Sequence, residues 1–263
     1  MALDLLLLEI GNTNIHVLWS SQGSVEQVLS IPGDNAASAH ISSFLEEVGA
    51  KGSGARVLVS SVNEALLSQA LAGISEAGLG KAELLTPAVM ARRSAELGLD
   101  VPNYHFLGGD LFCDLLGPRR NGMIVIDAGT AIKAVALDKS GHFLGGAIAP
   151  GQEMMRVSLN SGTSHAKSDE LFFPRELLSL STEGAISSGI VFGAAAWVKG
   201  LVEAIQAKYG LYGMPVFLTG GDCQTVEKGL AEVGPLDFIL DPQLTLKGLA
   251  WAFGLELSFP ESR

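Results

Sequence analysis

An α/β fold built from two similar halves is predicted by three observations. Apolar runs of strand length recur at residues 5–8, 57–59, 123–126 and 216–218, with helical spacing in the segments between them. Two of these runs end alike, "LLLLEIGNTN" from Leu5 and "MIVIDAGTAI" from Met123, so an approximate internal duplication is expected. The third is "LLGPRRNG" from Leu115, the one Gly- and Pro-rich patch near the middle and hence the best boundary. It divides the chain into domains at residues 1–117 and 118–263, with the last helix packing back on the first.

The helices follow from periodicity. Residues 41–48, 65–74 and 186–205 place apolar side chains three and four apart, and Gly189, Gly193, Ala194 and Ala195 make the last of these suited to close packing. The glycine-rich stretch 145–151, stiffened by Pro150, reads as a tight loop.

Composition narrows the classes. At 263 residues and 48% hydrophobic content the chain can bury one large core or two modest ones. Lys and Arg number 17 against 28 Asp and Glu, a formal charge of -11 that repels nucleic acids and anionic membranes. The two cysteines, Cys113 and Cys223, lie far apart and outside any metal-ligand spacing, and the five histidines, His105 among them, share no metal or triad pattern. No stretch is expected to approach the ~18 apolar residues of a membrane span, and no leader is seen, so the expected location is cytoplasmic.

The paired motifs carry the chemistry. Each joins a buried strand to an acid (Glu9 or Asp127), one spacer, then glycine (Gly11 or Gly129) and a side chain with an amide or hydroxyl. Glycine lets the backbone approach a phosphate, exposed N–H groups donate to it, and the acid can hold a metal ion or its waters. Two such turns facing each other could grip a nucleoside triphosphate.

In these motifs and their order the sequence resembles the type III pantothenate kinases of the actin-like and sugar-kinase superfamily. "EIGNTNIH" (Glu9, Ile10, Gly11, Asn12, Thr13, Asn14, Ile15, His16) resembles the family's first phosphate motif and "DAGT" at residues 127–130 its second. "SSV" at 60–62, "GGAIAPG" at 145–151, "TEGAISSG" at 182–189, "TGG" at 219–221 and "LTLKGLAWAF" at 244–253 continue the order.

The resemblance implies two ribonuclease-H-like domains with a nucleotide cleft between them, a homodimer, and transfer of the γ-phosphate of ATP to pantothenate, the first step towards coenzyme A. It also implies Mg2+ or another divalent ion, for which Glu9 is a candidate, and a monovalent cation, K+ or NH4+, near Asp127. By the same match Thr130 binds ATP phosphate, and Asp110 of "GGDL" (Gly108, Gly109, Asp110, Leu111) is the general base. Thr182 contacts pantothenate from the neighbouring subunit, and Tyr104 is carried over as a substrate contact. From its spacing alone, Asp110 would be the N-cap of the helix that follows.

Three positions depart from the family pattern. Glu9 stands for aspartate, Leu111 for arginine, and Lys133 for threonine. The longer acid reaches about an ångström further, a displacement large enough to matter for positioning. Parity along an interrupted strand favours an outward, solvated Lys133; the alternative brings its ammonium to Asp127 in the charge role of the monovalent cation. The altered residues leave two rival functions: a catalytically impaired homologue with a regulatory or binding role, and a kinase for another small hydroxyl compound.

Overall fold

The computed structural model describes residues 4–104 and 107–259; His105 lies outside them. The chain divides into two units, the first comprising residues 1–119 and 244–263 and the second residues 120–243.

In chain order, the first half contains β1 (Leu5–Ile10), β2 (Asn14–Ser21), β3 (Ser24–Pro32), α1 (Ala37–Glu47), β4 (Arg56–Ser61), α2 (Glu64–Glu76), β5 (Glu83–Leu84), α3 (Pro87–Leu97) and α4 (Gly109–Leu116). The second half contains β6 (Met123–Ala128), β7 (Ala131–Leu137), β8 (Phe143–Pro150), α5 (Gln152–Gly162), α6 (Thr182–Tyr209), β9 (Val216–Thr219), α7 (Cys223–Val233) and β10 (Ile239–Leu240). The last helix, α8 (Leu244–Ala252), belongs to the first unit.

The two sheets repeat one topology. The first runs β3-β2-β1-β4-β5 and the second, read from its other edge, β8-β7-β6-β9-β10. In each, an antiparallel three-stranded meander is extended by two parallel strands. The expected duplication is therefore present in strand order as well as in sequence.

The continuous leucine run of β1 is explained by burial on both faces, as in central strands covered by helices on either side. Leu6, Leu8 and Ile10 join the core formed with α1 and α2. Leu5 and Leu7 join Cys113 of α4 and Leu246, Leu249 and Ala250 of α8 on the other face. That second face exists because α8 returns to the first unit. Its packing is close: a Cβ at Gly248 would lie 1.8 Å from the carbonyl oxygen of Cys113. Thr245 Oγ1 donates to Asp114 Oδ1 at 2.7 Å, and the guanidinium groups of Arg93 and Arg119 both lie over the Trp251 ring, 4.5 and 4.2 Å from its centroid.

In the second unit, Ile124, Ile126 and Ala128 of β6 and Ile132 and Ala134 of β7 face the core formed with α6 and α7. Asp127 and Lys133 therefore project from the other face of the sheet. Helix α6 opens with Ser181 accepting from Gly184 N at 3.1 Å and closes on left-handed Gly210.

Two expectations are corrected. Residues 145–150 form most of β8 rather than a loop, because pairing with β7 outweighs the low strand preference of glycine. Helix α6 is long and apolar enough, by length and composition, to cross a membrane, contrary to the expectation that no stretch would be. Of its most apolar window 56% is buried within the protein, where Ala194, Ala195 and Val198 pack in the core. A core helix acquires that composition from burial on several sides.

Gly248→Ala forces a methyl into the α4–α8 contact and is expected to cost about 1–3 kcal/mol, measured as a lower urea midpoint. A Cβ at Gly193 would meet nothing within 4 Å, so Gly193→Ala in α6 is the control expected to be neutral or slightly stabilising.

Candidate active site

In the first unit the candidate residues gather where β1, β4 and α4 begin or end. Glu9 is the penultimate residue of β1, with 8% of its surface exposed. Its cross-strand partner is His16, whose Nε2 lies 4.0 Å from Glu9 Oε2, and its parallel neighbour is Ser60. The turn beyond is closed by Gly11 N donating to Asn14 O at 3.0 Å and is anchored by Gly33 N donating to Thr13 O at 2.7 Å. Asn12, Thr13 and Asn14 are exposed, whereas Ile10 and Ile15 pair with each other and are wholly buried. The turn thus presents polar groups and backbone, and the isoleucines fix it to the core.

Helix α4 brings Asp110 to the same end of the sheet. Gly109 packs so near β4 that a Cβ there would lie 2.5 Å from Ser60 Oγ. The N-cap of α4 is Gly108, not Asp110, which sits within the first turn and accepts from Leu111 N at 2.8 Å through Oδ1. The capping expectation fails because the helix begins one residue before the acid. Glu9 and Asp110 both act electrostatically on buried Cys113: burial, then the negative charges of Asp114, Glu9 and Asp110, push its thiol well above the ordinary range. Such a thiol is inert at neutral pH.

Leu111 and Tyr104 are partly buried, and the Tyr104 ring meets Phe112 edge-on at 6.3 Å. Arg119, eight residues beyond Leu111, is bound to Glu256 at 3.1 Å and stacked on Trp251.

The second unit repeats the arrangement with a tighter turn. Asp127 is the penultimate residue of β6, and its carboxylate Oδ2 lies 2.5 Å from Lys133 Nζ. This overturns the outward reading of Lys133. Asp127 and Lys133 are direct partners in the antiparallel β6–β7 pair, so they share a face whatever the turn between them does. The turn at Gly129 and Thr130 is locked from above. Gly151 N donates to Thr130 O at 3.0 Å, and a Cβ at Gly151 would come within 2.0 Å of Gly129 O, so only glycine fits. Thr130 itself is exposed.

Beside this turn β9 ends in Thr219, the parallel neighbour of Asp127, and the chain bends at Gly220 with φ +93°. A Cβ there would lie 2.3 Å from both Ala128 O and Asp127 Oδ1. Asp222 follows, its backbone N donating to Ala128 O at 2.8 Å. Burial, and then the charges of Asp127 and Glu153, raise its carboxyl above the ordinary range. Asp222 is not among the residues the sequence motifs point to, because in "TGGD" the acid follows the glycines instead of preceding them. Thr182 lies apart from this cluster along the chain, exposed in the first turn of α6. Among the described residues no group of three or more His, Cys, Asp or Glu could hold a metal ion.

Two units of repeated topology, each with a carboxylate at a strand end beside a glycine turn, define an α/β protein of the actin-like fold. Solved structures of the same fold include a Baf family transcriptional activator from Campylobacter jejuni (TM-score 0.57, 21% identity, covering 95% of this chain and 97% of that one). Component A of (R)-2-hydroxyglutaryl-CoA dehydratase from Acidaminococcus fermentans is another (TM-score 0.53, 15% identity, 95% and 96%).

The chain belongs to the type III pantothenate kinase family, whose sequence model matches residues 5–204. A type III pantothenate kinase from Chlorobaculum parvum is 31% identical over 246 residues, 88% of this chain and 89% of its own. One from Synechococcus elongatus is 34% identical over 127 residues. That match, like several others, spans about half the length of the curated relative.

A raised carboxyl means the folded state binds a proton more readily than the unfolded chain, so the fold loses stability as pH rises from the unfolded to the folded pKa of Asp222. Asp222→Asn is therefore expected to raise the melting temperature at pH 7, by an amount that vanishes below about pH 4. Thermal melts across that range check it.

Proposed function

We propose that this chain transfers the γ-phosphate of ATP to the hydroxyl of pantothenate, giving 4'-phosphopantothenate in the first step of coenzyme A biosynthesis. Membership of the family across most of the chain carries the reading. The local geometry of each unit supports it.

Phosphoryl transfer asks a protein mainly to position the phosphoryl group and offset its charge. The turn at residues 9–13 in one unit and that at residues 127–130 in the other each carry backbone N–H groups and a hydroxyl of the kind that binds phosphate. Mg2+ is commonly held by one or two carboxylates together with substrate phosphates rather than by an all-protein cage. The carboxylates present fit that mode, and Glu9 would hold such an ion or its waters, with the ion offsetting charge on the phosphates. Asp110, in the first turn of α4, would accept the proton of the attacking hydroxyl. Gly108, Gly109, Leu111 and Tyr104 would form its surroundings, where Leu111 offers an apolar side chain in place of the family's cation.

Thr182 would reach pantothenate in a partner subunit. Just ahead of it Leu177, Leu178 and Leu180 are exposed, as are Phe172 and Phe173. Apolar side chains concentrated in this way mark a contact surface, and a second copy of this chain is the occupant proposed.

Incubation with ATP, magnesium and pantothenate should yield phosphopantothenate, detected by mass; a folded protein that binds ATP without forming it would favour a regulatory role. Asp110→Asn is expected to lower kcat by about 10²–10⁴-fold with ATP affinity nearly unchanged, and equal loss of both would remove its assigned role. Leu178→Asp with Leu180→Asp should shift the protein from dimer to monomer in light scattering.

A further inference from the structure

The monovalent cation implied by the family resemblance does not fit the residues found at Asp127. One carboxylate oxygen, Oδ2, is already in contact with Lys133 Nζ at 2.5 Å, a charge-assisted hydrogen bond at the short end of its range. Oδ1 faces the backbone at Gly220, where a Cβ added to that glycine would come within 2.3 Å of it. The side chains of Asp127 and Lys133 are only 12% and 17% exposed, so water screens their charges weakly. Lys133 is pinned to this place by register, as the direct cross-strand partner of Asp127.

Of the acids nearest this pair, one has a cation of its own and the other is partly buried. Glu153 is engaged by Arg156 at 2.8 and 2.5 Å. Asp222 is partly withdrawn from water and already faces the negative charge of Asp127. A metal cation brought to Asp127 would meet an ammonium of the same charge on the same carboxylate.

We infer that Lys133 supplies the positive charge at Asp127 from within the chain, so that this protein holds no monovalent cation there and works without one. The claim about activity rests on the proposed kinase reading; the claim about the cation site stands on geometry alone. A tethered ammonium differs from a free ion in being always present, and its occupancy does not vary with the salt around the protein.

The test compares wild type with two variants. In buffers made with tetramethylammonium salts, wild-type turnover of ATP and pantothenate is expected to change less than about twofold when potassium or ammonium is added. Lys133→Ala removes the charge and opens space, so its turnover without potassium should fall about tenfold or more and recover when potassium or ammonium is supplied. Lys133→Met removes the charge but keeps most of the bulk, and should fall without recovering. A wild-type enzyme that requires potassium would overturn the inference.

Thallous ion, a stand-in for potassium followed by thallium NMR, gives a readout independent of turnover. Wild type should show no specific site and Lys133→Ala should gain one, with melting temperatures confirming that each variant is folded. A thallous site in the wild type that Asp127→Asn abolishes would count decisively against the inference. Absence of phosphopantothenate under every condition would instead defeat the kinase reading, while the thallous result would still decide the place of Lys133.

Discussion

The arrangement of the second unit depends on a short ion pair between side chains of adjacent antiparallel strands. Asp127 and Lys133 face each other across β6 and β7, on the side of the sheet away from α6 and α7. Everything near them has to accommodate that pair. Gly220 carries no side chain because Asp127 Oδ1 lies beneath it, and Gly151 carries none because the turn joining the paired strands presses against it. Two segments distant in sequence are thus shaped by one hairpin.

The first unit solves the same problem differently. Its strand-end acid has no lysine opposite; the cross-strand partner of Glu9 is His16, at 4.0 Å. The Lys133 ammonium touches Asp127 whereas the His16 imidazole stands 4.0 Å from Glu9, so the two carboxylates differ in how closely they are engaged. The repeated topology gives each unit an acid at an equivalent place, and the cross-strand residue decides what that acid can do. The actin-like fold supplies the positions, while chemistry follows from the side chains grafted on them.

Much of the architecture was legible because burial writes itself into the sequence. The leucines of β1 and the run before Asp127 declared strands buried on two faces, and the spacing in α1, α2 and α6 declared helices. Pairing was harder to read. The direction of Lys133 depends on which residue lies across the sheet, and parity along a single strand does not contain that information. Residues 145–150 looked like a loop because their glycines carry little strand preference, and only the partner strand holds them extended. Asp110 lies two residues past the N-cap, as boundaries are set by the whole first turn rather than by one favoured residue. Asp222 escaped notice because its neighbourhood is made by two strand ends that meet only in the fold.

The return of α8 to the first unit orders events during synthesis. The second unit is one uninterrupted stretch of chain, so all of its strands and helices are available before α8 has been made. Until α8 arrives, one face of the first sheet lacks Leu246, Leu249 and Ala250, and the apolar surface they cover stays open to water. The earlier-made sheet is therefore the later to be completed. A ribosome-bound intermediate would carry a finished second unit beside a first unit that still exposes Leu5, Leu7 and Leu58, the kind of surface that chaperones hold.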